Sequence, residues 1–261
     1  MKNRITELFE RKNKRVLSIF FTAGYPSLNS TGEIIKLLEA HGADMIEVGI
    51  PFSDPLADGP VIQKSSEEAL KNGMTLKLLF EQLKNLRDVV KIPIVLMGYL
   101  NPVLQFGMEN FVLKCKETGI DGVILPDLPP NVYCERYKNL FEKNQLSFIF
   151  LVTSKTTTDR IKVIDSISNG FIYLVASLGT TGKKAEFDSE RYSNIKSLQI
   201  KTPIMIGFGI SDNESFERAN TFSNGVIIGS AFVKAIENGN LKENIPAFIN
   251  GILNNKLSNT F

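Results

Sequence analysis

A closed, eight-stranded parallel α/β barrel is the fold this sequence predicts. Three observations predict it: eight short apolar runs rich in β-branched and aromatic residues, helical spacing in the segments between them, and a length of 261 residues that suits one closed barrel. The runs are LSIFFT (17–22), MIEVGI (45–50), IPIVLMGY (92–99), DGVILPD (121–127), SFIFLVT (147–153), FIYLVAS (171–177), TPIMIGFG (202–209) and GVIIGS (225–230). They are too apolar for strands with one face in water, which favours parallel strands covered by helices. A doubly wound open sheet is the alternative use of the same alternation. Between the runs, segments 29–42, 75–90, 107–119, 131–144 and 156–170 carry helical spacing, several opening on Ser, Thr or Asn and ending at Gly or Asn, as caps do. The first 13 residues and the tail beyond residue 239 read as an extra N-terminal helix and additional C-terminal helix. No linker or low-complexity stretch interrupts the series, so residues 1–261 are expected to form a single barrel domain, of the type called a TIM barrel.

Composition narrows the partners. Thirty Lys plus Arg against 28 Asp plus Glu leave a formal charge of +2, too balanced for a nucleic-acid or anionic-membrane surface. The opening MKNRITELFERKNKR is basic but lacks the apolar core of a signal peptide, and no segment approaches the roughly 18 continuous apolar residues of a membrane span. A cytoplasmic location is expected. Cys115 and Cys134 fall in helical patterns without CxxC spacing, so free thiols are expected rather than a disulfide or a zinc site.

The residues that stand out chemically are acids. Side chains alternate across a strand, so Ile46, Val48 and Ile50 face one way and Met45, Glu47 and Gly49 the other. The apolar trio suits the helices, which assigns Glu47 to the barrel interior near the C-terminal end, where barrel active sites sit. One reading makes Glu47 half of a buried ion pair. The other makes it a proton carrier: no basic residue holds a comparable inward position in the eight runs, and a desolvated carboxyl has a raised pKa suited to proton transfer near neutrality. The loop PFSDPLADGP (51–60) adds Asp54 and Asp58 on the same face, either as turn formers beside Pro and Gly or, for Asp58, as a second acid in wetter surroundings. The lone His41 ends the first helix at the opposite end of the barrel, so no Ser-His-Asp or Cys-His set is available. GFGIS (207–211) and IIGSAF (227–232) end the seventh and eighth runs, where barrels hold phosphate on backbone N–H groups, and SLGTTGKK (177–184) has the Gly, Thr and Lys content of a lid over an anion.

FFTAGYP, EVGIPFSDPLADGPVIQ, MGYLNP, DGVILPDLP, SLGTTG, GFGIS and GSAF, in this order from about residue 18 to 235, resemble the tryptophan synthase α subunit family, with PFSDPLADGP the most specific segment. The resemblance implies a (β/α)8 barrel that cleaves indole-3-glycerol phosphate into indole and glyceraldehyde 3-phosphate. It further implies no cofactor in this chain and an α2β2 assembly with a pyridoxal-phosphate-bearing β subunit, which receives the indole. Position by position, Glu47 matches the family's general acid/base and Asp58 the acid that holds the indole N–H. Tyr173 matches a tyrosine near these two acids and Phe20 an aromatic wall of the indole pocket, and each also suits ordinary packing inside a barrel. Gly182, Phe208, Gly209, Gly229 and Ser230 match phosphate-binding positions, Thr181 a lid residue that meets Asp58, and Asp54 the loop that faces the β subunit. Ala176 and Thr180 depart from the serine and valine frequent there, which bears on the lid rather than on the chemistry. Three other functions remain open on the residues: an imine-forming aldolase using Lys155, a silent subunit that only activates a partner, and a free-standing lyase.

Overall fold

The computed structural model of the chain describes residues 2–153, 155–175, 198–207 and 209–253. Nine strands occur among them: β1 (Val16–Thr22), β2 (Met45–Gly49), β3 (Ile94–Met97), β4 (Gly122–Ile124), β5 (Ser147–Phe148), β6 (Phe150–Thr153), β7 (Ile172–Val175), β8 (Ile204–Gly207) and β9 (Gly225–Ile228). All pair in parallel, in the order β5-β4-β3-β2-β1-β9-β8-β7-β6. The two ends of this sheet are consecutive pieces of one stretch, so the chain itself completes the ring through Ile149 and the open-sheet alternative is excluded. The predicted single strand 147–153 is thereby divided. Phe148 pairs with Val123 of β4 and the Ile149 N–H still reaches the Val123 carbonyl at 2.9 Å, whereas Phe150 pairs with Ile172 of β7. Stagger between neighbouring barrel strands accounts for the division, because the two edges of one strand then find partners at different heights.

Helices cover the outside. Thr31–Ala40, Met108–Glu117 and Thr158–Ile167 fall where the spacing predicts them, and Leu76–Leu83 ends early because Asn85, at φ 62°, turns the chain into a short 3-10 segment. The predicted helix 131–144 contains a π segment, Tyr133–Tyr137, ahead of Lys138–Lys143. Ser30 does not cap Thr31–Ala40 with its side chain; its Oγ donates instead to the carbonyls of Tyr25 and Ser27, and the hydroxyl orders the loop before the helix.

The barrel floor, at the N-terminal ends of the strands, is held by a repeated polar bond. The amides of Leu17, Ile94, Phe148 and Ile204, at or near strand starts, donate to Asp44, Asp121, Asn169 and Asn224 respectively, each lying just before or near the next strand. Asp121 is the most elaborated of the four: buried, it also receives Arg87 Nη2 at 2.5 Å and Arg4 Nη1 at 3.0 Å. Arg4 belongs to the predicted N-terminal helix, Arg4–Arg11, capped by Asn3 through a capping box with Thr6 and laid over the floor on Ile5, Leu8 and Phe9. The predicted C-terminal helix is Leu241–Leu253. With the floor sealed in this way, access to the interior is left to the other end, where the loops after the strands lie.

Candidate active site at the barrel mouth

Glu47 sits in the middle of β2, opposite Phe20 of β1 and Val95 of β3. It is 0% exposed, and Tyr173 of β7 senses its charge. Because β1, β9 and β8 separate β2 from β7 in the sheet, two side chains on those strands can meet only across the barrel interior, which is where alternation assigns Glu47. The ion-pair reading fails: the one hydrogen bond Glu47 receives among the described residues comes from Ser18 Oγ, 3.2 Å from Oε1, and Oε2 has no partner. Burial without a counter-charge pushes its pKa up from 4.5 to about 8, with the Ser18 hydroxyl working the other way.

Asp58 lies in the loop after β2, partly buried. Tyr99, two residues beyond β3, donates its hydroxyl to Asp58 Oδ2 at 3.1 Å and accepts from the Ala57 N–H at 3.0 Å, so one phenol fixes both the acid and its backbone. The Gln63 amide closes the turn on the Asp58 carbonyl at 2.9 Å. Desolvation raises the Asp58 pKa and the Tyr99 bond opposes it; the Tyr99 phenol is pushed to about 12, chiefly by burial and then by the Asp58 charge, so it stays a donor. Tyr173, 5% exposed, is raised well above the ordinary phenol range by burial and then by Glu47 and Asp58. Its hydroxyl occupies the space above Gly207, where a Cβ would come within 2.2 Å of it. The structure therefore brings Glu47, Asp58 and Tyr173 together.

Phe20, 9% exposed, lies over Gly49, where a Cβ would come within 2.6 Å of the ring, and beside Gly229. With Asp58, Tyr99 and Ile50 it lines a cavity of about 20 Å³ at the mouth. Gly229 immediately precedes the helix Ser230–Ala235, and Ser230 is exposed. Gly209, also exposed, holds φ +76°, a left-handed backbone that a side chain would strain. Thr181, Gly182 and Phe208, the lid segment 177–184, and Ala176 with Thr180 lie outside the described residues. Asp54 is exposed on an open groove of about 820 Å³ that runs along the helix Pro60–Lys71 and includes Leu56, 92% exposed. This larger groove holds neither Glu47 nor Asp58, whereas the smaller cavity has Asp58 in its wall together with Phe20, the residue opposite Glu47 on β1.

Lys155 is exposed in the turn after β6, without the apolar surroundings that activate an imine-forming lysine. His41 follows the helix Thr31–Ala40, away from the mouth. Cys115 is buried and Cys134 exposed, both as free thiols, and no group of three or more His, Cys, Asp and Glu gathers among the described residues. Two polar residues of the site were not singled out by the sequence, Ser18 and Tyr99. Ser18 was within reach, since it shares the inward parity of Phe20. Tyr99 stands beyond the strand, where alternation no longer applies, and only its place in MGYLNP marked it.

The tryptophan synthase alpha chain family model matches residues 7–256. The tryptophan synthase alpha chain of Flavobacterium psychrophilum is 56% identical over 241 residues, spanning 91% of this chain and 95% of that protein. Its counterpart in Christiangramia forsetii is 53% identical over 250 residues, with 95% and 97% covered. In three dimensions the chain is similar to the tryptophan synthase alpha chain of Legionella pneumophila, with a TM-score of 0.86 and 31% identity over 99% of this chain and 100% of that one.

Proposed function

We propose, from the premise that this chain belongs to the tryptophan synthase alpha chain family, that it cleaves indole-3-glycerol phosphate to indole and glyceraldehyde 3-phosphate with Glu47 as proton carrier. It is a carbon–carbon lyase, and the observation that carries the residue assignment is the buried, unpaired Glu47 with a pKa near about 8. Glu47 in its acid form gives a proton to C3 of the indole ring, which makes the ring an electron sink with positive charge at N1. Asp58, steadied by Tyr99, accepts the indole N–H and offsets that charge. The Glu47 carboxylate then takes the proton of the glycerol hydroxyl next to C3 as the carbon–carbon bond breaks: the hydroxyl carbon becomes the aldehyde and the bonding pair returns to the ring. One proton leaves Glu47 and one comes back, so no co-reactant is needed.

Phe20 and Tyr173 wall the indole, and Gly182, Phe208, Gly209, Gly229 and Ser230 receive the phosphate, mostly through backbone amides. The chain acts as one barrel domain over 1–261, in the cytoplasm, and docks a β subunit that carries pyridoxal phosphate in an α2β2 tetramer, with Asp54 and the exposed Leu56 on the docking face. Among the described residues no helix is long and apolar enough to cross a membrane.

Indole release from indole-3-glycerol phosphate, with and without a β subunit, tests the proposal. Release by the wild type and none by Glu47→Gln is expected; turnover by Glu47→Gln at a near-normal rate would remove Glu47 from the chemistry, and a wild type that is inactive even with the partner would make the chain a silent activator. Borohydride trapping of substrate on Lys155 would establish the imine route instead.

A further inference from the structure

The alternation that turns Glu47 inward on β2 also turns Ser18 inward on β1. Phe20 is the residue opposite Glu47, and Ser18 lies two positions earlier, opposite Met45, so its hydroxyl reaches Glu47 from the floor side. Ser18 is 0% exposed, and its Oγ donates to Glu47 Oε1 at 3.2 Å. Its backbone belongs to the ladder between β2 and β9, and a hydroxyl buried at this depth is costly unless it is bonded. Glu47 Oε2, equally buried, has no partner among the described residues.

We propose that Ser18 is a positioning residue: it anchors one oxygen of Glu47 toward the barrel floor and leaves the other as the oxygen that meets the reacting proton. A hydroxyl suits this task better than a cation. It donates to the carboxylate and can accept from the protonated acid, so it holds the side chain through both halves of a proton cycle, whereas a lysine or arginine would lock the ionised form. Among the described residues that role falls to Ser18 alone. β1 and β3, on either side of β2, carry no charged residue; Tyr173 faces Glu47 from β7, and Asp58 acts on that same tyrosine from the loop.

The inference rests on the proton-carrier reading of Glu47, and the test separates the two. In Ser18→Ala the kcat for indole release is expected to fall about tenfold with KM unchanged, and the carboxyl titration of Glu47, followed by 13C NMR on glutamate-labelled protein, to move upward by roughly one pH unit, the size that loss of one hydrogen bond to a charge implies. Ser18→Thr should restore both, since threonine keeps the hydroxyl and suits a strand. Ser18→Cys, a weaker donor, should fall between and serves if the alanine variant does not fold. A role confined to packing would leave the titration in place. Should Ser18→Ala or Ser18→Cys keep both kcat and the Glu47 titration of the wild type while Glu47→Gln is inactive, the positioning role is overturned and the proton carrier stands; an active Glu47→Gln overturns both.

Discussion

Asp121 on the barrel floor and Glu47 near its mouth are both carboxylates withdrawn from water, and the fold treats them in opposite ways. Asp121 is met by two guanidinium groups and a backbone amide. Among the described residues Glu47 has one hydroxyl at 3.2 Å and no partner for its other oxygen. A paired carboxylate ties elements together, here the N-terminal helix, β3 and β4. An unpaired one is pushed toward its neutral acid and keeps a proton available near neutrality, a poor choice for stability and a good one for chemistry. Burial alone therefore does not distinguish the two acids; the absence of a counter-charge does.

The comparison can be broken first at Glu47. Glu47→Gln preserves shape and removes the proton, and should lower kcat for indole release by about a thousandfold or more while substrate-analogue affinity, measured by calorimetry, changes little. The floor should respond in the other currency: Arg87→Met leaves Asp121 short of its more buried partner and should reduce unfolding free energy by about 3 kcal/mol in urea titration, with kcat of the folded protein nearly unchanged. Asp58→Asn keeps the Tyr99 bond possible but removes the charge that offsets N1, and should cost about a hundredfold in kcat.

A smaller effect sharpens the contrast through pH. Unfolded, Glu47 ionises above 4.5; folded, it holds its proton up to about 8. Below 4.5 both states are protonated and burial carries no titration cost. Between the two values only the unfolded state releases the proton, so stability falls as pH rises, and above about 8 the full cost is present. Glu47→Gln should accordingly gain stability over wild type as pH rises through this window to 9, and lose that advantage near pH 4. Smallest is Gly209→Val, where the left-handed backbone is strained and the amide access proposed for phosphate is narrowed; KM should rise about tenfold with little change in kcat.

The mouth side of this contrast was legible in the sequence. Eight apolar runs gave the ring, and the period of two put Glu47 inside it with no basic residue at a matching position. The division of the fifth run at Ile149 was not legible, because it depends on how β4 and β7 are staggered rather than on the residues of the run itself. Nor was the use of Ser30, whose hydroxyl had two nearby carbonyls to choose over the helix amides. At the site, Asp58 could be found from its loop, but its dependence on Tyr99 joins positions 41 residues apart and comes only from the fold. The interior place of Asp121 was equally hidden: it opens the run 121–127, and nothing in that run shows that Arg4 and Arg87 converge on it.

The most direct measurement is the carboxyl titration of Glu47 itself in the ligand-free protein, taken as the 13C NMR difference between glutamate-labelled wild type and Glu47→Gln. A midpoint near about 8 is the result the account predicts. A midpoint near 4.5, the value of a solvated or paired glutamate, would contradict it.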